Sequence, residues 1–305
     1  MYNKTIGEKK AMGQPAELII DTPSMLGEGC IWDYKRQRLL FVDIEKCMLY
    51  IYHPETKDLR QIDVGQRLGT VVPTQDGKLL VALEKSVVVL DPATESLETV
   101  AEIETDVPGN RFNDGKCDPA GRFWVGTVVE DMSEPRAGLY RIDSDYSVKK
   151  MVARVTNSNG IVWSLDHTKL YYIDTPKRRV VSFDYDLASG NIENRRPVID
   201  VPGSMGYPDG MTIDAEGKLW IALFEGAAVS RWDPDGGRLI DSYPIPAKNV
   251  TSCAFGGENL DELYVTTARF LMTTEDLKAY PQSGGLFRLK LMTKGIPCFE
   301  FKRTR

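Results

Sequence analysis

Histidine is scarce in this chain, with two among 305 residues. Both lie in predicted turns, His53 before Pro54 and His167 between Asp166 and Thr168. The sequence therefore argues against a Ser-His-Asp or Cys-His hydrolase, a zinc site with histidine ligands and a histidine general base. The G-x-S-x-G, G-x-G-x-x-G and phosphate-loop motifs are absent as well.

Cysteine is also infrequent, and its distribution argues against a disulfide framework. The count of five is odd, and no two cysteines form a C-x-x-C pair. Scattered buried thiols in a reducing compartment fit this pattern. We therefore expect a cytoplasmic protein with free thiols at Cys30, Cys47, Cys117, Cys253 and Cys298.

Basic residues are outnumbered by acidic ones, 38 to 44, which gives a formal net charge of -6. Nucleic acid and anionic membranes both require a basic face, so neither is an expected partner. Residues 1–15 contain three Lys and no apolar stretch, so neither a secretory signal nor a transmembrane span is expected there. We expect this segment to be frayed and residues 16–305 to form a single domain.

Short apolar runs, each preceded by a turn, are abundant. The clearest is Phe123-Trp124-Val125 after Asp118-Pro119-Ala120-Gly121, where Pro fixes one φ angle and Gly is free to take a positive φ. Six such runs begin at residues 39, 79, 123, 170, 219 and 263, at intervals of 40 to 49 residues. A strand-rich repeat of this length predicts an all-β, six-bladed β-propeller with four-stranded antiparallel blades around a central channel.

The fourth repeat indicates how one blade is divided. Its predicted strands are 159–163, 170–173, 179–185 and 192–200.

A closed ring usually takes strands from both chain ends, because an open edge invites aggregation. Glu17–Ile20 is the preferred closing strand, and 298–301 is the alternative. The excursion 270–284 is predicted to be a surface loop, in which residues 274–277 resemble a short capped helix.

The first strands of a propeller line its channel in parallel, so the residues at their starts meet at one mouth. Counting back 10 or 11 residues from the second strands locates these starts. They are Glu28, Asn113, Asn159, Asp209 and Ser252, whereas the second repeat has Leu68-Gly69. Four of six blades therefore direct a carboxylate or carboxamide at the same point.

Each of these four residues is followed by Gly or Asp-Gly, which leaves room for neighbouring strands to approach. Singly, each pair is also a common hairpin-turn dipeptide, but recurrence in phase favours a shared site. Two carboxylates with amide oxygens are hard ligands suited to Ca²⁺, Mg²⁺ or Mn²⁺, with Zn²⁺ less natural. Because two like charges held close require a counterion, we expect one divalent cation.

Several segments carry a family resemblance over about residues 17–296. They are Leu26-Gly27-Glu28-Gly29, Leu40-Phe41-Val42-Asp43-Ile44, Arg111-Phe112-Asn113-Asp114-Gly115-Lys116, Ser158-Asn159-Gly160, Pro208-Asp209-Gly210-Met211, Thr251-Ser252-Cys253 and Phe255-Gly256-Gly257. In these segments the chain resembles the SMP-30/gluconolactonase/luciferin-regenerating enzyme family. The resemblance implies a six-bladed propeller that hydrolyses sugar lactones, typified by D-glucono-1,5-lactone, with loose metal preference.

The resemblance also implies roles for individual residues. Glu28, Asn159 and Asp209 would hold the cation, and Arg111 and Asn113 would contact the substrate. As a hypothesis, the cation polarises the lactone carbonyl, Asp209 is the general base and Arg111 stabilises developing charge.

Glu130 and Asp131 are further candidates for binding substrate hydroxyls, with Asp131 acting beside Asn113. The family pattern has two consecutive Glu where this chain has Glu130-Asp131, so the second carboxylate is one methylene shorter. This difference bears on the choice of substrate more than on the reaction type.

Alternatives remain open at this level. Arg111 is also compatible with a surface salt bridge, and Glu130 and Asp131 with a solvated loop. A hydrolase of another lactone or of a phosphotriester, or a calcium-binding propeller without turnover, would fit much of the same pattern. The tryptophans recur with the repeat and are predicted to be core residues, at Trp32, Trp124, Trp163, Trp220 and Trp232.

Overall fold

The computed structural model describes residues 15–304. The segment 1–15, predicted to be frayed, lies outside the described residues except for Pro15. The described chain contains 24 β-strands, one α-helix and three short 3-10 helices (Tyr34–Arg36, Thr175–Lys177 and Gly203–Met205). Within residues 15–304, no helix is long and apolar enough to cross a membrane.

The strands form six four-stranded antiparallel sheets, as the repeat predicts. After β1 (Glu17–Ile20), blade 1 contains β2 (Gly27–Asp33), β3 (Arg38–Asp43), β4 (Met48–His53) and β5 (Asp58–Asp63). Blade 2 contains β6 (Leu68–Pro73), β7 (Leu79–Leu83), β8 (Ser86–Leu90) and β9 (Leu97–Glu102). Blade 3 contains β10 (Asn110–Cys117), β11 (Phe123–Val129), β12 (Ala137–Ile142) and β13 (Val148–Val155).

The second half of the chain repeats the pattern. Blade 4 contains β14 (Ser158–Trp163), β15 (Lys169–Asp174), β16 (Arg179–Tyr185) and β17 (Ile192–Asp200). Blade 5 contains β18 (Tyr207–Ile213), β19 (Leu219–Phe224), β20 (Ala228–Asp233) and β21 (Arg238–Pro244). Blade 6 contains β22 (Asn249–Gly256), β23 (Glu262–Ala268), β24 (Leu286–Lys290) and β1. The first strands contact one another in the closed order β2, β6, β10, β14, β18, β22 and back to β2, so the six blades form a propeller.

A buried aspartate fixes the turn between the first and second strands. The Oδ1 of Asp118 accepts from the backbone amides two and four residues further on, at 3.0 and 2.9 Å, and its Oδ2 accepts from the indole Nε1 of Trp124 at 3.0 Å. Asp214 makes the same bonds in blade 5, with Trp220 as the indole donor. The turn and the aromatic core of the blade are therefore joined by one side chain. All five tryptophans are at most 3% exposed, which confirms their prediction as core.

The ring is closed by the N-terminal strand. In β1, Glu17 pairs with Arg288 and Leu18 with Phe287 of β24. The preferred prediction, Glu17–Ile20, is therefore confirmed, and the alternative 298–301 is wrong as a closing strand.

The segment 295–304, which we call the C-terminal tail, lies across the end of the channel opposite the mouth. It contacts the five other blades, through Gly295 to Asp214, Phe299 to His167, Cys298 to Trp32, Phe301 to Thr74 and Lys302 to Gly121. Residues 296–299 line a cavity of about 60 Å³ together with the lower ends of the first strands. The tail therefore closes the far end, and the mouth is the open end.

The excursion between β23 and β24 contains helix α1 (Thr274–Ala279). Its N-cap is Thr273, whose hydroxyl accepts from the Asp276 amide at 3.1 Å while the Asp276 carboxylate accepts from the Thr273 amide at 3.0 Å. This capping box confirms the short capped helix, one residue earlier than the pattern suggested. None of its residues is buried, in agreement with a surface excursion.

Candidate active site

A β-bulge recurs near the start of the first strand in all six blades. The pairing register shifts between Glu28 and Ile31 in β2 and between Asn159 and Ile161 in β14, with equivalent shifts in the other four first strands. A bulge takes a residue out of the ladder and re-aims its side chain. Asn113 and Asp209 fall outside the ladder at this point, whereas Glu28 and Asn159 are the last paired residues before the shift. The polar residues therefore lie at or next to the irregularity in each of these blades.

Glycine next to these residues allows the blades to approach. A Cβ on Gly160 would lie 2.8 Å from the Asp209 carbonyl oxygen and 2.5 Å from the Cβ of Met211, both in the next blade. A Cβ on Gly210 would lie 2.5 Å from the Ser252 hydroxyl. The predicted need for glycine at these positions is confirmed, because any side chain would push the first strands apart.

Glu28 and Asp209 are both buried at the mouth, each about 5% exposed. Burial raises the pKa of Glu28 to about 8, and the charge of Asp114 adds to the shift. Burial also raises the pKa of Asp209 well above its ordinary value, assisted by the charges of Glu28 and Asp114. Burial is the main cause of both shifts, and the added effect of neighbouring carboxylates indicates an acidic, poorly solvated site.

Asp114 is a third buried acid that the sequence analysis did not select. Burial raises its pKa, while the nearby Lys116 ammonium opposes the shift. Lys116 itself donates to the Met211 carbonyl inside the channel. Counting back from the second strand selects one position per blade, Asn113 in this case, and so passes over its neighbour. The sequence run Asn113-Asp114-Gly115-Lys116, in which a second acid directly follows the selected residue, could have identified Asp114.

Two amides link blades 3, 4 and 5 across the mouth. The Nδ2 of Asn113 donates to the Ser158 carbonyl at 2.8 Å and to the Oδ1 of Asn159 at 3.2 Å. The Nδ2 of Asn159 donates to the Thr175 hydroxyl at 2.8 Å, and that hydroxyl donates to the Pro208 carbonyl, next to Asp209, at 2.9 Å. This chain orients the amide oxygen of Asn159. Thr175, which lies in a 3-10 turn, carries no sequence signal for this role.

Arg111 is buried, with 8% of its surface exposed, and is not a surface salt bridge. Its Nη1 donates to the Phe112 carbonyl at 2.9 Å and to the Oδ1 of Asn113 at 3.0 Å. Its Nε lies 3.9 Å from the Oε1 of Glu130 and is buried without a hydrogen-bond partner among the described residues. Burial lowers the pKa of Arg111 from its ordinary value. The guanidinium is thus held firmly and retains an unused donor.

The two candidate carboxylates after β11 are placed differently. Glu130 is directed at Arg111 and also accepts from Arg67. Asp131 instead accepts from the hydroxyl and amide of Ser133, at 2.6 and 3.1 Å, and lies 3.5 Å from Arg136. Glu130 therefore joins the mouth residues, whereas the Asp131 side chain is occupied within its own exposed loop.

The residues at the mouth fit a divalent cation. The Oδ1 of Asp209 and the Oδ2 of Asp114 are buried with no hydrogen-bond partner in the described part of the chain, an arrangement that is costly without a counterion. The amide oxygen of Asn159 accepts one hydrogen bond and keeps a second lone pair. Within residues 15–304, no three His, Cys, Asp or Glu side chains are grouped as metal ligands. The predicted ligands, Glu28, Asp209 and Asn159, include only two such side chains, because the third ligand is an amide.

The fold and this site together define a six-bladed propeller with buried acids, amides and an arginine at the open end of its channel. The chain belongs to the SMP-30/gluconolactonase/LRE-like family, whose model matches residues 26–269. This match confirms the resemblance seen in the sequence.

Individual relatives extend over almost the whole chain. Regucalcin of Danio rerio is 40% identical over 93% of this chain and 97% of its own length. The Bacillus subtilis protein named "Putative sugar lactone lactonase YvrE" is 40% identical over 94% of this chain and 98% of its own length. A solved structure, described as a calcium-binding protein, regucalcin, from Agrobacterium tumefaciens, is 30% identical with a TM-score of 0.90 and covers 96% of this chain and 98% of its own.

Proposed function

We propose that the protein is a cation-dependent lactonase that opens a sugar lactone to the corresponding aldonic acid. The observation that supports this proposal is the burial of Glu28, Asn159 and Asp209 in the first strands of three blades, with Asn159 bonded to Asn113 and Asn113 bonded to Arg111. The family's description includes gluconolactonase, and one relative is named as a sugar lactone lactonase, which supports lactone as the substrate class.

A divalent cation, Ca²⁺, Mg²⁺, Mn²⁺ or Zn²⁺, would be held by Glu28, Asn159 and Asp209. When bound, it supplies a Lewis acid that polarises the lactone carbonyl and lowers the pKa of water. The hard oxygen ligands favour the first three ions. Thr175 accepts from the amide nitrogen of Asn159, and Asn113 donates to its amide oxygen. These two contacts fix the amide so that the second lone pair of the oxygen stays available to the ion.

Asp209 is the proposed general base. Its Oδ1 is free of hydrogen bonds from the described residues, and burial raises its pKa, which makes the carboxylate a stronger base than a solvated one. It takes the proton from the attacking water as the water oxygen bonds to the carbonyl carbon. The ring C–O bond then breaks, and the proton passes to the departing ring oxygen. The product is an open-chain hydroxy acid.

Arg111 and Asn113 position the substrate and stabilise charge. The unpartnered Nε of Arg111 can donate to the carbonyl or ring oxygen as negative charge develops there. The amide of Asn113 is fixed by Arg111 on one side and by blade 4 on the other, so it presents a rigid edge to hydroxyl groups. A lactone is an activated ester, so this modest set of groups is sufficient.

We further propose that the protein works in the cytoplasm. All five cysteines are free, as is expected for a reducing compartment. Fractionation of cells that produce the protein, followed by immunodetection, tests this placement.

The test is a pH-indicator assay on a panel of aldonolactones and a phosphotriester. Protein treated with chelator and reconstituted with each cation is compared with Asp209→Asn and with Asp235→Asn, an exposed acid in a surface turn that serves as the matched control. We expect cation-dependent lactone hydrolysis that falls by about 10²-fold or more in Asp209→Asn and is unchanged in the control. Cation occupancy is measured on the same samples, because Asp209 is also a proposed ligand.

The other outcomes are informative. Full turnover by Asp209→Asn with the cation still bound would show that another group is the base. Cation binding without hydrolysis of any ester would favour a calcium-binding propeller over an enzyme. Hydrolysis of the phosphotriester alone would change the substrate class.

A further inference from the structure

A groove of about 570 Å³ lies on the outer part of blade 4. Its lining residues come from the 3-10 turn Thr175–Lys177 and from β16 and β17, and they are Pro176, Lys177, Arg179, Val181, Arg195 and Pro197. Three of these described residues are basic and none is acidic, although acidic residues outnumber basic ones in the whole chain. The groove is therefore a basic surface on an acidic protein.

The register of the sheet explains why these side chains share one face of the blade. Val181 pairs with Pro197, and Arg179 and Arg195 each lie two residues away on the same two strands. Tyr172 pairs with Val181 from the other side and packs in a core cluster with residues of blade 3. The groove therefore opens on the side of blade 4 that faces blade 3.

Two of the three cations lack a partner of their own. Within residues 15–304, the Lys177 and Arg195 side chains make no hydrogen bond and no ion pair, whereas Arg179 lies 3.0 Å from the Asp200 carboxylate. Exposed charges without a partner add nothing to the stability of the fold through pairing. They are available to a ligand.

The basic side chains next to them in the chain are occupied. Arg196 points to the opposite face of the sheet, where it bonds to Asp184. The guanidinium of Arg178 lies over the ring of Tyr207 in blade 5, at 3.6 Å from the ring centre. The unpartnered cations are thus those that share the groove, which argues against a general excess of basic residues in blade 4.

One buried acid lies behind the groove. Asp174 is 5% exposed, and its Oδ1 accepts from the amides of Asn157 and Thr156 at 3.0 and 3.2 Å. Burial raises the pKa of Asp174, while these amides and then the charges of Lys177 and Arg195 oppose the shift. Both cations therefore face the same part of the blade. Even with Asp174 and Asp200 ionised, the three cations leave the groove positive.

We propose that this groove binds the phosphate group of a phosphorylated sugar. A guanidinium binds two phosphate oxygens at once, and an ammonium adds a point charge. Pro176, Val181 and Pro197 provide an aliphatic surface for the sugar ring. None of the described lining residues is aromatic, so the groove offers no stacking surface to a nucleotide base. Its volume falls in the range of small-molecule sites, roughly 300–1,000 Å³.

The groove is distinct from the channel mouth. Asn157 connects the two regions, because its backbone amide bonds to Asp174 behind the groove and its side chain accepts from Asn113 at the mouth, at 3.1 Å. A ligand in the groove is bound by Lys177 and Arg195, which belong to neither the cation ligands nor the substrate contacts proposed above. The inference therefore does not depend on the lactonase function.

The experiment is a phosphorus NMR titration of D-glucose 6-phosphate with chelator-treated protein, so that no cation at the mouth can hold the phosphate. Inorganic phosphate, D-glucose and AMP are tested as competitors. The variants are Arg195→Met, Arg195→Lys and Lys177→Met. Arg196→Met is the matched control, since Arg196 is the next residue but faces the other side of the sheet. Arg111→Met detects binding at the mouth, and the melting temperature is measured for every variant.

We expect D-glucose 6-phosphate to bind with a Kd of about 1 mM or lower, as two charge-assisted hydrogen bonds would give. Inorganic phosphate should displace it, D-glucose should not, and AMP should compete no better than inorganic phosphate. Arg195→Met and Lys177→Met should each weaken binding about tenfold, with Arg195→Lys intermediate. Arg196→Met and Arg111→Met should bind like the original protein, and all melting temperatures should be unchanged.

Four results would overturn the inference. Absence of binding at about 10 mM sugar phosphate would reject the site, since this is well above the expected Kd. An equal loss in Arg196→Met would indicate unspecific attraction to a basic surface, and loss of binding in Arg111→Met would place the phosphate at the mouth. Tighter binding of a polyglutamate peptide than of the sugar phosphate would make the groove a docking surface for an acidic protein. Because no hydrolysis is measured, failure of the lactonase proposal leaves this test unaffected.

Discussion

The Nδ2 of Asn113 donates to the Oδ1 of Asn159 at 3.2 Å and so connects two adjacent blades at the channel mouth. Asn159 passes the connection on through its own Nδ2 to the Thr175 hydroxyl. An amide can rotate by 180°, which would exchange its oxygen for a nitrogen and remove a cation ligand. Here the donor on one side and the acceptor on the other hold the oxygen toward the channel. The orientation of Asn159, a proposed cation ligand, therefore depends on Thr175, which is not itself a proposed ligand.

Replacement of that threonine should weaken cation binding. In Thr175→Val, the Nδ2 of Asn159 loses its acceptor and the Pro208 carbonyl loses its donor. Removing such an outer contact typically costs 10- to 100-fold in metal affinity, so we expect about tenfold or more. Titration calorimetry with Mn²⁺ and Ca²⁺ measures the change. Thr99→Val on the exposed outer strand of blade 2 is the matched control, and equal affinity in the two variants would refute the orienting role.

Cation affinity should depend on pH across the neutral range. In chelator-treated protein, burial raises the pKa of Glu28 from 4.5 to about 8, so between these values the folded protein holds a proton that the unfolded chain does not. The free energy of unfolding of this protein should accordingly fall as pH rises from 4.5 toward 8. Binding of a cation expels this proton, so cation affinity should increase as pH rises. Below pH 8 the affinity should be lower by up to about tenfold for each pH unit.

The variant Glu28→Gln provides the control for this pH dependence. It removes the titrating group, so the pH slopes of both stability and affinity should flatten, while Asp209 and Asp114 maintain a smaller residual slope. Chemical denaturation and calorimetry at pH 5, 6, 7 and 8 measure the two quantities. Slopes equal to those of the original protein would assign the titration to another group.

Close approach of the blades predicts a cost for adding one methyl group. In Gly160→Ala, the new Cβ would meet the Asp209 carbonyl and the Cβ of Met211 at less than van der Waals distance. We expect a loss of about 1–3 kcal/mol in the free energy of unfolding, as for other overpacked positions, together with weaker cation binding. In Gly236→Ala the nearest atom, an Asp233 oxygen, is 3.9 Å away, and this variant should be neutral. Urea denaturation compares them, and a neutral Gly160→Ala would contradict the packing argument.

The sequence predicts the propeller well because its signals are local and repeated. In blade 4 the predicted 159–163 and 170–173 correspond to Ser158–Trp163 and Lys169–Asp174. The turn between these two strands contains Asp166, which bonds the amide and hydroxyl of Thr168, much as Asp118 bonds its neighbours in blade 3. Because these contacts join residues that are close in the sequence, a short segment is enough to predict the turn and the strands beside it.

The site is only partly predictable because it is assembled across blades. The phase count selects Glu28, Asn159 and Asp209, but Asp114 and Arg67 reach the mouth through a bulge and a loop that the count cannot register. The roles of these residues depend on partners more than 40 residues away in the chain. The C-terminal tail is a similar case, since no alternating pattern marks its path.

The C-terminal tail should be an essential part of the fold and not of the chemistry. Phe301 is fully buried, stacks on Tyr146 at 5.8 Å between ring centroids, and its backbone pairs with Pro73 and Gln75. Phe301→Ala should lower the free energy of unfolding by about 3–5 kcal/mol, the usual cost of emptying a large aromatic site. The exposed Leu271→Ala should be neutral. Because the tail closes the end opposite the mouth, kcat measured well below the melting temperature should be unchanged in both variants, and a large loss of kcat in folded Phe301→Ala would show that the far end communicates with the site.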